Sequence, residues 1–158
     1  MKIWISIILF SLSLINADAF TFDQASPIRQ GVHVEWYRTV APSLDGSAIF
    51  VWSDTRYGVR NVFAHKIDKN GNFTWGDNGA VITNLPGRQE DPVAIEDGNG
   101  GAFIAWVDYR FDDSGDIFIQ HVNESGAIQM DPNGVALAQQ QGTQISINMC
   151  TDSLGGVY

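Results

Sequence analysis

The hydrophobic and polar positions of this chain form short runs separated by glycine-rich turns, which is the pattern of β-strands. The run from Ala102 to Trp106 is apolar on both alternating faces, as expected for a strand that is covered on both sides. Turn residues from Asp97 to Gly100 precede it, and their Gly and Asn tolerate positive φ. The pattern predicts strands and turns, and no helix beyond the first residues of the chain.

Two successive stretches are each predicted to hold short strands in the same order. Those of the second stretch are Pro92–Glu96, Gly101–Tyr109, Asp116–Asn123 and an interrupted fourth strand, Ala127–Met130 with Val135–Ala138. Those of the first are Ser47–Ser53, Asn61–Asp68, and Asn72–Trp75 with Ala80–Thr83. Short turns join these strands, so we expect antiparallel pairing within each stretch.

The two stretches are copies of one sequence pattern. The motif Trp52-Ser53-Asp54-Thr55-Arg56 returns 54 residues later as Trp106-Val107-Asp108-Tyr109-Arg110. A third copy opens at Gln144, which matches Gln89. A repeat of this length is one supersecondary unit that buries its faces by stacking on copies of itself.

Four antiparallel strands in about 55 residues, apolar on both faces, describe one blade of a β-propeller. The predicted fold class is all-β, with four-stranded antiparallel blades of an incomplete propeller: two blades and the start of a third. A β-solenoid has shorter coils, and an immunoglobulin-like sandwich needs about 100 residues per domain. We expect a signal peptide at 1–19 and a partial propeller at 20–158, with repeats at about 32–84, 85–139 and 140–158. Since propellers close with about four to eight blades, we expect the chain to be a fragment of a longer protein.

The first nineteen residues have the pattern of a cleaved secretory signal. Lys2 is a positive start, Ile3 to Ile15 is an apolar run, and Ala17-Asp-Ala19 fits the small-x-small cleavage rule, which leaves Phe20 as the new N-terminus. The alternative is a membrane anchor, but this run has about 13 residues and a spanning helix needs about 20. We therefore expect a secreted or cell-surface protein with no membrane contact after cleavage.

The net charge of the chain indicates which classes of binding partner to expect. The chain has 9 basic and 18 acidic residues and a net charge of −9, and cleavage would remove one residue of each sign. Nucleic acids and anionic lipid surfaces are bound through basic patches, so we expect neither as a partner. Cys150 is the single cysteine, so the chain can form no internal disulfide, and we interpret it as a small apolar residue in a strand.

The full motif adds a family resemblance. The pattern Asp-Gly-Asn-Gly-Gly, then Trp-x-Asp-x-Arg, then Asp-Ile-Phe-x-Gln resembles the repeats of secreted bacterial β-propeller proteins, a group of largely unassigned activity. The residues that carry it are Trp52, Asp54, Arg56, Asn61 and Phe63 in the first repeat, and Gly100, Gly101, Trp106, Asp108, Arg110, Asp116, Ile117, Phe118 and Gln120 in the second. The resemblance covers about Val32 to Tyr158 and implies an extracellular propeller. The first repeat departs from the pattern at Ser47, Asn61 and His65.

The Asp and Arg of the motif are the strongest polar candidates for a site. They lie two residues apart at a strand end, so their side chains point to one face. They are either a contact site for a ligand or a structural ion pair used once per repeat. Their recurrence favours the structural interpretation, because a catalytic residue is needed once and a residue that builds each repeat is needed in every copy.

No other pattern supplies a catalytic residue. The chain has no Gly-x-Ser-x-Gly elbow, no phosphate loop and no Cys–His pair, and His33, His65 and His121 do not recur as a set. We expect no cofactor and no metal site. Calcium is the alternative, at the oxygen-rich turns Asp68-Lys69-Asn70-Gly71-Asn72 and Asp112-Asp113-Ser114-Gly115-Asp116.

The sequence therefore predicts a secreted, non-catalytic propeller segment that serves as a binding or adhesion scaffold for an extracellular protein or carbohydrate. The alternative is the N-terminal part of a secreted propeller enzyme that acts on polysaccharide as a glycosidase or lyase. Paired carboxylates for glycoside hydrolysis need only spatial proximity, so sequence spacing does not decide between the two.

The mature chain is expected to begin at Phe20, because Ala17 and Ala19 occupy the small-residue positions of the cleavage site. N-terminal sequencing of the exported protein checks this expectation. An exported chain that still begins with Met1 would contradict it.

Overall fold

Eight strands make up the regular structure of the computed structural model, which describes residues 35–152 and 154–158. The strands are β1 (Glu35–Pro42), β2 (Ala48–Asp54), β3 (Asn61–Ile67), β4 (Ala80–Val81), β5 (Gln89–Glu96), β6 (Ala102–Asp108), β7 (Asp116–Val122) and β8 (Val135–Ala138). They form two antiparallel four-stranded sheets in the orders β1-β2-β3-β4 and β5-β6-β7-β8. The all-β prediction is confirmed for these residues, and no helix among them could cross a membrane. The predicted cleavage site at Ala19 and Phe20 lies outside the described part.

The central hairpins of the two sheets have the same register. Trp52 of β2 lies opposite Phe63 of β3, and Trp106 of β6 lies opposite Phe118 of β7. Both tryptophans are buried. The first strand of each sheet, β1 or β5, also carries a bulge near its N-terminal end. The pairing of β1 with β2 therefore resembles the pairing of β5 with β6.

The first strand of the second sheet begins at Gln89, three residues before the predicted start at Pro92. Proline donates no backbone hydrogen bond, so it is expected at the first position of a strand rather than inside one. The structure instead places Pro92 in a bulge between Glu90 and Val93, with Asp91 at a φ of 48°. The extra bulge residue lets the strand continue past the missing donor.

The fourth strand of each sheet is shorter than the prediction. Residues 72–75 and 127–130 form no strand, and they contribute only the isolated bridges of Phe73 with Ile67 and of Ile128 with Val122. The paired segments are Ala80–Val81 and Val135–Ala138 alone. The chain leaves the sheet edge between the two pieces, and the turn chemistry of Gly76–Gly79 and Asp131–Gly134 directs that excursion.

The main core lies between the two sheets, and the two faces that meet there are not equivalent. The second sheet contributes the face of Trp106 and Phe118, which also carries Ile104. The first sheet contributes the face of Val51 and Ala64, which is the reverse of its own Trp52 face. The packing is therefore head to tail, whereas a two-sheet sandwich built from equal halves would turn equivalent faces inward.

The reverse face of the second sheet is partly covered by the third copy of the motif. Phe103, Ala105 and Ile119 pack there against Ile147, Met149 and Val157 from residues 144–158. A cavity of about 390 Å³ remains beside them, lined by side chains such as Leu137, Ile145 and Tyr158. The backbone of Cys150 is paired with that of Tyr158, but Cys150 is exposed and lies outside the named strands, which corrects our interpretation of it as a strand residue.

Four tight turns of the described residues share one construction, in which a carboxylate or amide oxygen accepts the backbone N–H groups two and four residues later. The acceptors are Asp68, Asp97, Asn123 and Asp152. At one of these turns the backbone also meets the neighbouring sheet. The indole Nε1 of Trp75 donates to the carbonyl of Glu124 at 2.8 Å, and a Cβ on Gly126 would lie 2.7 Å from the Trp75 ring. The turn therefore needs glycine both for its φ of 82° and for this close approach.

Candidate functional site

A buried carboxylate organises the end of the central hairpin in the second sheet. Asp108 accepts hydrogen bonds from the indole of Trp106 at 2.8 Å and from the backbone N–H of Arg110 at 2.9 Å. The guanidinium of Arg110 donates to the same carboxylate at 2.5 Å and to the carbonyl of Asn133 at 2.8 Å. It also lies 3.8 Å above the ring of Phe118. The Arg110 side chain thus connects the end of β6 and the loop after it to the segment that precedes β8.

The first sheet repeats this arrangement with its own residues. Asp54 accepts from the indole of Trp52 at 2.9 Å and from the backbone N–H of Arg56 at 2.9 Å. The guanidinium of Arg56 reaches Asp54 at 2.5 Å and the carbonyl of Asn78 at 3.3 Å, and it lies 3.7 Å above the ring of Phe63. We call each of these arrangements the tryptophan–aspartate–arginine brace.

The two braces are sealed from solvent. The side chains of Asp54 and Asp108 are both 0 % exposed, and those of their arginines are 11 % and 15 % exposed. Burial by itself would raise the pKa of Asp54, but the hydrogen bonds from Arg56 and Trp52 outweigh it and hold that pKa below its ordinary value. A buried carboxylate that already accepts from an indole, a backbone N–H and a guanidinium has little capacity left for a ligand. The geometry therefore favours bracing over ligand contact.

In the oxygen-rich turn at Asp68, the carboxylate already accepts hydrogen bonds from within the turn. The carboxylate of Asp68 accepts the backbone N–H groups of Asn70 and Asn72 at 2.8 Å, and also the side-chain amide of Asn72 at 2.9 Å. These bonds lower its pKa without any metal. Within 35–152 and 154–158, no three His, Cys, Asp or Glu side chains come together in a group that could hold a metal ion. The expectation of no metal site stays a prediction.

His65 and His121 lie in different sheets and make different contacts. His121 Nε2 lies 2.7 Å from the carboxylate of Asp97, and its ring stacks on Phe103 with centroids 4.4 Å apart. His65 is buried, and neither of its ring nitrogens makes a hydrogen bond with the described residues. Its counterpart is Gln120, whose amide joins three backbone groups. His33 lies outside the described part.

A second polar cluster lies beside the braces, and the sequence analysis missed it. Arg88 of the β4–β5 loop lies 3.8 Å above the ring of Tyr109 and 3.4 Å from the carboxylate of Asp113. Its Nε is 3.5 Å from the buried carboxylate of Glu90, which also pairs with Arg60. We call Arg88, Tyr109 and Asp113, together with the neighbouring Phe111, the loop-end cluster. The signal that could have found it is departure from the repeat, since Thr55 and not an aromatic residue stands at the place of Tyr109 in the first copy.

Comparison with known protein families, curated proteins and solved structures finds no match to the chain. The interpretation of both clusters therefore rests on their own geometry. The braces recur in the two sheets and their carboxylates are buried, whereas the loop-end cluster is partly exposed and contains Tyr109, at whose place the first sheet has Thr55.

Asp108→Ala should lower the free energy of unfolding by about 3–5 kcal/mol, because it leaves a nearly buried guanidinium and an indole N–H without their acceptor. Asp54→Ala should have a loss of similar size, since Asp54 also accepts from an indole, a backbone N–H and a guanidinium. Chemical denaturation of the full chain measures both changes. The control is Asp77→Ala, an exposed position, which should stay within about 0.5 kcal/mol. Unchanged stability in both brace variants would reject bracing and revive ligand contact.

His65→Gln should stabilise the chain and reduce the pH dependence of its stability. Burial lowers the pKa of His65 below its ordinary value of 6.5, and the nearby backbone of Gly76 and Lys66 opposes this shift without reaching hydrogen-bonding geometry. Below about pH 6.5 the unfolded state then binds a proton that the folded state resists, so stability falls as the pH falls. Glutamine is the residue that the second sheet uses at this position.

Denaturation of the parent chain and of His65→Gln at pH 8 and at pH 5.5 measures this effect. The difference in unfolding free energy between the two chains should be larger at the lower pH. A difference of the same size at both values would show that His65 does not titrate with folding.

Proposed function

We propose that the two sheets are consecutive blades of a β-propeller, and that the chain is a secreted, non-catalytic binding or adhesion scaffold. The head-to-tail packing supports the propeller. An interface between unlike surfaces leaves a free surface of each kind at the two ends of a stack, so repetition generates a ring if the rotation closes. Closure takes about four to eight blades, so the proposal requires further repeats around the same axis.

The braces support a scaffold over a catalyst. The residues that recur between the sheets are the ones that the proposed family resemblance rests on, and their carboxylates are fully buried. Groups that are sealed from solvent in both copies hold the loops in place and reach no substrate. This burial is the single observation that carries the non-catalytic part of the proposal.

Secretion rests on the signal pattern of residues 1–19 and on the acidic composition, which is common in proteins that stay dissolved outside the cell. Net negative charge disfavours polyanionic partners. The partner is therefore an extracellular protein or a carbohydrate.

The competing proposal, a polysaccharide-cleaving enzyme, would use carboxylates that do not recur. Glu90 is such a group: it is buried between Arg60 and Arg88, and Trp36 stands at its place in β1. Asp91 follows it with a pKa raised by burial and by the charge of Glu90. Glycoside hydrolysis uses one carboxyl group with a raised pKa and a second carboxylate on the other side of the scissile bond.

One experiment separates the two proposals. The mature chain is incubated with insoluble cellulose, xylan and chitin and with a collagen-coated surface, and both the retained protein and the released reducing ends are measured. A scaffold is retained on one of these surfaces and releases no reducing ends. Release that is abolished by Glu90→Gln would establish the enzyme instead, and absence of both retention and release would reject both proposals. The thermally unfolded chain is the control for non-specific adsorption.

A further inference from the structure

We propose that the turn before β4 holds a site of spontaneous modification, where Asn78 deamidates through attack by the backbone nitrogen of Gly79. An asparagine followed by glycine is open to this reaction, because glycine has no side chain to shield its nitrogen. Four such pairs occur in turns of the chain, and their asparagines are Asn70, Asn78, Asn99 and Asn133. Their hydrogen bonds distinguish Asn78 from the other three.

The reaction needs only the chain and water. The nitrogen of Gly79 bonds to the side-chain carbonyl carbon of Asn78, and the amide nitrogen leaves as ammonia with the proton of the Gly79 N–H. Water then opens the resulting five-membered imide ring at either of its carbonyl carbons. One product is aspartate, and the other is isoaspartate, in which the main chain continues through the former side chain. Both products ionise, so each adds a negative charge at neutral pH.

Both reacting groups at Asn78 are free to meet. Asn78 is exposed, and its side-chain amide makes no hydrogen bond with the residues that the structure describes. The N–H of Gly79 likewise has no acceptor among those residues. The turn is held instead through the main-chain carbonyl of Asn78, which accepts from the guanidinium of Arg56 at 3.3 Å. That hydrogen bond restrains neither the attacking nitrogen nor the carbon that it attacks.

In the other three pairs, the glycine nitrogen already donates a hydrogen bond. Gly71 donates to the carbonyl of Asp68 at 3.0 Å, Gly100 to the carboxylate of Glu96 at 3.3 Å, and Gly134 to the carbonyl of Asp131 at 2.9 Å. An N–H that donates within its turn has to leave its acceptor before the nitrogen can attack. Each of these three reactions therefore waits for a local opening of the turn.

Asn133 is the closest comparison, because Asn133 and Gly134 precede β8 as Asn78 and Gly79 precede β4. The side-chain oxygen of Asn133 accepts the backbone N–H of Asn84 at 2.9 Å, and Asn84 belongs to the segment after β4. The same pair thus occupies the same turn in both sheets. Its reacting groups are held in the second sheet and free in the first.

Deamidation at Asn78 disturbs the edge of the first sheet. The backbone of Gly79 runs against β3, since a Cβ on Gly79 would lie 3.3 Å from the carbonyl carbon of Ala64 and from the ring of His65. Isoaspartate adds one carbon to the main chain before Gly79, and β4 has only two residues with which to keep its register. The former main-chain carbonyl, which accepts from Arg56, also becomes a carboxylate that competes with the first brace for the guanidinium.

The full chain is incubated in its folded state at pH 8. Fragmentation mass spectrometry of its peptides then follows the four asparagines, and an isoaspartyl methyltransferase detects isoaspartate. We expect Asn78 to deamidate about tenfold faster than Asn133 or more, since the Asn133 pair must first lose two hydrogen bonds. In urea the four asparagines should react at comparable rates, because each is followed by glycine.

Asn78→Gln is the control, because its longer side chain would have to close a less favourable six-membered ring. After incubation it should keep its unfolding midpoint, while the midpoint of the parent chain falls. The proposed site is overturned if any of Asn70, Asn99 and Asn133 reacts as fast as Asn78 in the folded chain. It is also overturned if Asn78 leads by the same factor in urea, since sequence alone would then set the rates. An equal loss of midpoint in Asn78→Gln would contradict the effect on β4.

Discussion

The structure depends on placing an ionised carboxylate at the buried end of a hairpin. Removing such a group from water costs several kcal/mol unless donors surround it, so the chain must bring those donors to Asp54 and Asp108. Each aspartate receives hydrogen bonds from the indole of the tryptophan two residues before it. It also receives them from the backbone N–H and the guanidinium of the arginine two residues after it. Because the guanidinium also reaches the carbonyl of Asn78 or Asn133, satisfying the carboxylate fixes the segment before the fourth strand as well.

The same requirement explains the aromatic residues of the hairpin. A guanidinium held over an aromatic face keeps its favourable interactions after losing much of its water. Phe63 and Phe118 provide those faces, and each ring is stacked in turn on the tryptophan that donates to the carboxylate. The polar brace and the apolar core are therefore one unit, and a change to either disturbs the other.

The parts of the fold that local chemistry determines were predictable from the sequence. The central hairpins follow from alternating apolar runs bounded by Asp and Gly, and their predicted limits match β2, β3, β6 and β7 to within about two residues. The bulge at Asp91 was not predictable, because a proline after a polar pair is equally compatible with a strand start. Residues 127–130 were taken as a strand for their apolar character, yet that character serves packing: Met130 contacts the core beside Ile119.

The loop-end cluster lay beyond sequence reasoning for a different reason. Arg88 meets Tyr109 and Asp113 only because the β4–β5 loop, which joins the two sheets, converges with the β6–β7 loop, and no spacing rule connects positions so far apart along the chain. The brace was visible because its members lie within five residues and occur twice. A repeat makes common structure easy to recognise, and the departures from it then become the more informative positions.

Head-to-tail packing also bears on how such a protein can change over generations. The Trp106 face of the second sheet fits the reverse face of the first, so an inserted copy that kept both faces would meet surfaces of the same kind. Duplication or deletion of one 55-residue unit in the gene would then lengthen or shorten the array without a new interface having to arise. Some turns at the sheet ends take part in that fit, as the turn at Gly126 does against Trp75, and the loops that make no such contact are free to diversify from copy to copy.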